Sequence, residues 1–337
     1  MKRFVLVLVV LMMTLVAFNA PARAQGAGCG LSDADCKILA TADANIAKIT
    51  SFAHSYDFAL KVNAQGQTVD VTSKGSGVFS VDPAGMTGSD PTAALGSLKL
   101  TLDLDGAAKM TGNDQSGKAQ LVVVDGVIYA NAGDGKGWQG VKLSDLLSQA
   151  MSQTGAGGTA SANPQVEQVT KALQDPALMQ AITAIPTIKG FITLAKAAGP
   201  TIDGAATTAF TYTLDFKTLI SAPEFAPVVK TLFKSVSGTG SEVTDAQVAQ
   251  MTPLFSSLLK DTTFTITRYV GEKDNLYHGI KVYLKSTIDT TALGSSGAPV
   301  DLLLSLDVQL SKIGNTFEVK APEGAKMVAM PVATPAK

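Results

Sequence analysis

Between Thr262 and Val328 apolar and polar residues alternate over four successive segments, and a strict period of two is the signature of β-strands. In the second segment Leu276, His278, Ile280, Val282, Leu284 and Ile288 alternate with Tyr277, Lys281, Tyr283, Lys285, Thr287 and Asp289. In the third, Val300, Leu302, Leu304, Leu306, Val308 and Leu310 alternate with Asp301, Ser305, Asp307, Gln309 and Ser311. Alternation of this length predicts an antiparallel sheet with one wet face and one buried face. What covers the apolar face is then the functional question.

The same pattern recurs upstream. Phe58, Leu60 and Val62, then Val69, Val71, Val78 and Val81, then Leu98, Leu100, Leu102 and Leu104 each predict strands, as do Phe210, Tyr212, Leu214 and Phe216. Asp125-Gly126, between Leu121–Val124 and Val127–Ala130, is a two-residue hairpin signal. Gln65–Gln67 and Asn113–Lys118 read as turns, and Asp82–Gly96 and Ser152–Ala162 as loops. Gly133–Gly137 reads as a turn delivering Trp138 into a strand; Lys136 is not followed by Ser or Thr, which argues against a phosphate loop.

Helices are announced by their caps. Ser32, with Asp33 and Asp35 in the first turn, predicts a helix to about Ala53 carrying a stripe of Ile38, Leu39, Ala42, Ile46, Ile49 and Phe52. Asn163-Pro164, Asp175-Pro176 and Gly199-Pro200 bound a broken helical unit over 163–200. Its centre lacks charge, and Leu178, Met179, Ile182, Ile185, Ile188, Phe191, Ile192 and Leu194 surround most of its circumference, which predicts an internal position. Shorter helices are expected over Leu143–Met151, around Phe225–Phe233, and after the capping box of Thr244 and Gln247. About ten strands and a few helices without Rossmann-like alternation make the fold class α+β: one large curved antiparallel sheet, a half-open β-barrel, with helices covering its concave apolar face.

Residues 1–24 read as a secretory signal: Lys2 and Arg3, an apolar core from Phe4 to Phe18, and Ala22-Arg23-Ala24 as the cleavage site. The apolar run is short for a bilayer span. Cleavage removes three of the 27 basic residues, leaving 24 against 28 acidic ones and a formal net charge of -4. That balance gives no reason to expect nucleic acid. Cys29 and Cys36, the two cysteines, read as a small disulfide loop in an oxidising compartment, or, in a second reading, Cys29 as a lipidated anchor; Gly26-Ala27-Gly28 lacks the aliphatic residue of a lipobox.

The order of these elements, with Trp138 before Leu143-Ser144-Asp145-Leu146 and a close at Phe317-Glu318-Val319-Lys320-Ala321-Pro322, resembles the LolA-like superfamily of exported lipid and lipoprotein carriers, and within it the LppX/LprG type. The resemblance covers most of the mature chain. It implies a single domain over 25–325, a helical lid or plug over 163–200, a flexible tail over 326–337, and an apolar cavity for acyl chains. The cavity lining it implies is Leu98, Leu100, Leu102, Leu104, Phe210, Tyr212, Ile280, Val282, Leu284, Leu302, Leu304 and Leu306, with Met179, Ile182, Ile185 and Phe191 from the lid. The implied ligand is a lipid or other acyl-chain molecule. Implied partners are a membrane surface met transiently and an envelope protein. The alternative is a sensor or interaction module whose helices fill the barrel.

An enzyme is not expected. His54 and His278 are the two histidines; His54 is placed at the end of the first helix, where it complements the dipole, and His278 in an apolar row, where a hydrogen-bonded buried imidazole is the simpler reading. No Gly-x-Ser-x-Gly elbow occurs, and Cys29 and Cys36 have no partner ligands for zinc. Asp103 and Asp105 share a polar strand face with Lys99, a solvated surface. No cofactor is expected.

Overall fold

The computed structural model describes residues 29–64, 67–86, 96–110, 113–146, 188–223, 225–226, 230, 244, 256, 261–289 and 299–328. The expected signal segment, the lid residues Met179, Ile182 and Ile185, and most of the two later helices lie outside the described residues, as does the tail beyond 328. Twelve strands form one open sheet: β1 (Ser51–Ala64), β2 (Gln67–Val81), β3 (Leu98–Met110), β4 (Asn113–Val124), β5 (Val127–Asn131), β6 (Gln139–Lys142), β7 (Ile192–Ala198), β8 (Thr207–Leu214), β9 (Thr262–Gly271), β10 (Tyr277–Ile288), β11 (Val300–Ser311) and β12 (Lys326–Met327). Their spatial order is β12-β6-β5-β4-β3-β2-β1-β11-β10-β9-β8-β7, and every neighbour is antiparallel except β12 and β6. Helices α1 (Asp33–Ile46), α2 (Pro83–Met86) and α3 (Phe216–Ser221) complete the described elements. An α+β chain with a large antiparallel sheet is therefore what the alternation builds.

Local chemistry explains the connections. The β4–β5 hairpin closes on Asp125 and Gly126, both at positive φ (52° and 71°), which matches the right-handed twist of the flanking strands. Ser32 caps α1 by accepting a hydrogen bond from the Asp35 amide, and the Cys29–Cys36 disulfide ties the approach to that first turn. On α3, Asp215 accepts from the amides of Lys217 and Thr218.

Several expectations are corrected. The first helix stops at Ile46, and Phe52 and His54 belong to β1, where they pair with Phe79 and Gly77 of β2. Asn113–Lys118 is strand, not turn, because it pairs fully with Ala107–Met110 and the residues before them. Residues 192–198, assigned to the helical unit, form β7: Ile192 and Leu194 alternate with Thr193 and Ala195, and pairing with β8 outweighs the helix propensity of the alanines. Phe216 opens α3 instead of ending a strand. The fourth C-terminal segment does not join the meander; only Lys326 and Met327 are strand, parallel to β6 at the far edge.

Because directly opposed residues share a face, the registers assign every side chain. One row runs Leu104, Gly75, Tyr56, Val308, Ile280, Arg268, Phe210, Lys196 across eight strands, from β3 to β7. This apolar face carries the main core of Tyr56, Phe58, Leu102, Ile280, Leu306, Val308 and Leu310. Gly75 makes room for the Tyr56 ring, since a Cβ there would lie 2.3 Å from it. Helix α1 lies on the same face, with Leu39 and Ala42 against Phe210, Val270 and Tyr277.

Under α1 sits a buried charge. Arg268, only 2% exposed, donates to Asp43 Oδ1 (2.9 Å) and to Tyr277 Oη (2.8 Å), and Tyr277 donates to the same carboxylate oxygen at 2.6 Å. The guanidinium also stands over the rings of Tyr212 and Tyr277, 5.6 and 5.1 Å from their centroids. Burial is the main cause that pushes the Tyr277 hydroxyl far above its ordinary range, so it stays a donor. Removing one partner of such a pair leaves an uncompensated charge. Asp43→Ala is expected to lower stability by about 3–5 kcal/mol, whereas Arg268→Met with Asp43→Leu should cost far less; denaturant melts of the three chains check the ranking.

Candidate functional site

Twelve of the residues the sequence proposes for the cavity lie on one face of the sheet: Leu98, Leu100, Leu102 and Leu104 of β3, Phe210 and Tyr212 of β8, Ile280, Val282 and Leu284 of β10, and Leu302, Leu304 and Leu306 of β11. The sequence reading recognises the strands between them but leaves their residues out of the lining. Tyr56, Phe58 and Leu60 of β1 and Phe264 and Ile266 of β9 occupy the same rows. Phe191 is buried against Ile188 and Leu219 with Phe216 edge-on, in a small core at the base of β7, so it is packing between β7 and α3 and not part of a helical lid.

The face is not uniform along the strands. Toward the end under α1, Leu100, Leu102, Phe210, Ile280, Val308 and Leu310 are buried. Toward the other end Leu60, Phe264, Val282, Leu284, Leu302 and Leu304 are half-buried. Two pairs of hydroxyls on this face meet one another. Tyr56 Oη and Ser73 Oγ are 3.0 Å apart, and Thr262 Oγ1 and Ser286 Oγ 2.7 Å. Its two cations are both met by α1 carboxylates, Arg268 by Asp43 and Lys196 by Asp35. The Lys196 ammonium and the Ser32 hydroxyl hold the Asp35 carboxyl below its ordinary value. The result is an apolar surface with no uncompensated charge among the described residues.

The two histidines do not meet. His54 faces the apolar side beside Phe52, opposite Gly77 and Leu310, and its Nδ1 is buried without a partner. Burial lowers its affinity for a proton. His278 sits at a β-bulge between Tyr277 and Gly279. The bulge breaks the expected alternation: it turns Tyr277 into the apolar face, while the His278 ring lies against Gly271 with Nε2 2.9 Å from Asp274 Oδ2. Among the described residues no group of three or more His, Cys, Asp or Glu side chains could hold a metal ion.

The opposite face is polar. Its central row reads Lys118, Asp105, Lys74, Asp57, Asp307, Lys281, Thr267, Thr211 and Ala195 from β4 to β7. Lys74 pairs with Asp57 at 2.8 Å and Lys118 with Asp105 at 3.7 Å, while Asp103 accepts from Gln120. Two adjoining grooves of about 710 and 580 Å³ follow this row and share Lys74 and Gly75. The paired groups stand among their lining residues, a solvated ladder in place of a carboxylate dyad. Partial burial, with Asp57 directly opposite, raises the Asp307 carboxyl above its ordinary value.

No family model and no curated protein matches the chain. Solved structures similar to it include one of lipid–protein interactions in lipovitellin (8% identity, 81% of this chain, 26% of that chain, TM-score 0.28). A DUF1329 family protein from Desulfovibrio piger is similar over 83% of this chain and 92% of its own, at 9% identity and TM-score 0.17. A β-barrel-like protein of domain of unknown function DUF1849 from Brucella abortus is similar over 80% of this chain and 99% of its own, at 10% identity and TM-score 0.13. The chain spans about a quarter of the length of the lipovitellin chain.

His54 makes the fold sensitive to acid. Its proton affinity is lowered in the folded state, so the unfolded chain binds more protons below about pH 6.5 and stability falls as pH drops through that region. His54→Phe should flatten this part of the profile, measured as the difference in unfolding free energy between wild type and variant from pH 7.5 down to 5.

Proposed function

We propose that the chain is an exported, non-enzymatic binder or carrier of hydrophobic ligands, lipid first among them, of the LolA-like kind that its sequence resembles. The observation that supports this most is the half-buried end of the apolar face. There, Leu60, Phe264, Leu284, Leu302 and Leu304 from four adjacent strands, β1, β11, β10 and β9, form a continuous surface free of charge among the described residues. A contiguous apolar surface left partly open marks a place where something apolar binds. Each acyl methylene removed from water there contributes about 0.8 kcal/mol, so a long chain gains much where a short one gains little.

The polar atoms on the face suit the same role, since those paired with one another ask for no hydrogen bond from a ligand. The Cys29–Cys36 disulfide fits an oxidising compartment. No helix among the described residues is long and apolar enough to cross a membrane.

The first test is organic extraction and mass spectrometry of lipid from the purified chain, with native mass spectrometry for stoichiometry. About one lipid per chain is expected; a clean apo mass with no uptake of added fluorescent fatty acid would reject the reading. Leu284→Asp with Leu304→Asp should weaken fatty-acid uptake by about tenfold or more, because each buries a charge in the path of the ligand. Asp103→Asn with Asp105→Asn, on the opposite face, should leave uptake unchanged, and the reverse ranking would place the site among the polar grooves. Thermal melts confirm that the variants are folded.

A further inference from the structure

The two ends of the sheet are built differently. At one end β12 offers only two residues. At the other, β7 presents seven residues, Ile192–Ala198, paired on one side with β8 in an unbroken register and, among the described residues, with no strand on the other. Such an edge is ordinarily protected by a proline, a bulge, or a charge pointing inward. β7 has neither proline nor bulge, and Thr193 and Ala195–Ala198 are exposed. Its one charge, Lys196, stands on the apolar face and is paired with Asp35 of α1, so the usual deterrent is neutralised from within the same molecule.

We propose that β7 is a self-association edge, which pairs antiparallel with β7 of a second copy about a two-fold axis through Ala195. The choice of a second copy comes from the register. In an antiparallel pair opposed residues share a face, so the two sheets keep their apolar faces on one side only when even-numbered residues oppose even-numbered ones. Pairing about Lys196 sets two ammonium groups directly opposite and is disfavoured. Pairing about Leu194 leaves the end of each strand unmatched. Pairing about Ala195 uses all seven residues: Ala195 meets Ala195, Leu194 meets Lys196, Thr193 meets Ala197, and Ile192 meets Ala198.

Small side chains at 195, 197 and 198 let the backbones approach, and Leu194 covers the aliphatic stem of the opposing Lys196. The apolar faces of two twelve-stranded sheets then continue into one another. The contact is isologous and closes at two copies, whereas β7 on β12 would be head-to-tail and open-ended.

Cysteine placement reads the register. Ala195→Cys brings the two thiols together across the axis, with Cα atoms about 4.5–5.5 Å apart, within disulfide range. Ala197→Cys sets its thiols about four residues apart along the strand, about 13 Å, out of range. Under mild oxidation the Ala195→Cys chain is expected to run at twice the monomer mass on non-reducing gels, and the Ala197→Cys chain at the monomer mass. Sedimentation equilibrium of the wild-type chain should give a concentration-dependent twofold rise in mass, weakened several-fold in Ala195→Glu and in Ala195→Lys and restored when those two are mixed. Circular dichroism of each variant alone verifies its fold. A wild-type chain monomeric at every concentration, equal cross-linking of both cysteine variants, or a ladder of higher masses would overturn the proposal.

Discussion

A guanidinium with almost no exposure has to be answered by a carboxylate, and in this molecule the answer comes from the other end of the chain. Arg268 on β9 is met by Asp43 on α1 and by Tyr277 on β10, with Tyr212 on β8 beneath it. Those contacts decide where α1 lies, which way it points and which strands it covers. The Lys196–Asp35 pair and the packing of Leu39 and Ala42 then follow from a helix already held in place. An ion pair of this kind adds little net stability over well-packed apolar residues, but it strongly disfavours any arrangement that leaves either charge alone. Its value here is positional. It fixes a single amphipathic helix on one end of a face that would accept it in many places.

The division of the sheet into two chemistries was open to reading from the sequence because a strand reports its faces directly. Leu98 to Leu104 and Leu302 to Leu306 each declare a face within a few residues, and the registers show that these declarations agree across the sheet. What could not be read were events that interrupt the period. The bulge at His278 sends Tyr277 to the apolar side, and nothing in the alternation marks it. Residues 192–198 carry alanines and follow an uncharged run, so local propensity pointed to helix; the partner that makes them a strand, β8, is separated by the turn at Asp203 and Gly204. Arg268 was invisible for a related reason, because its counter-charge lies 225 residues away.

The two faces also answer different demands. On the polar side lysines and aspartates pair across strands, Lys74 with Asp57 and Lys118 with Asp105, and only Asp57 and Asp307 set like charges opposite in that row, which keeps the surface hydrated without a strong field of either sign. On the apolar side Tyr56 pairs with Ser73 and Thr262 with Ser286, and Arg268 and Lys196 are held by carboxylates of α1. A surface arranged in this way offers a ligand shape and dryness and little directional bonding, so discrimination between ligands would come from length and bulk.

The long-range contacts set the order in which the chain can assemble. β1 lies between β2 and β11, residues Ala53–Asn63 pairing with Asp301–Ser311, and α1 cannot seat its Asp43 until β9 and β10 exist. The meander β1–β5 can form by successive hairpins, but its exposed β1 edge and the orphaned first helix must wait for nearly the whole chain. Contacts of such separation slow folding, because loop closure has to precede the contacts that reward it. During that interval the molecule is a half-sheet with an open strand edge beside an unsatisfied helix, so its most vulnerable state is the one that exists before its last sixty residues arrive.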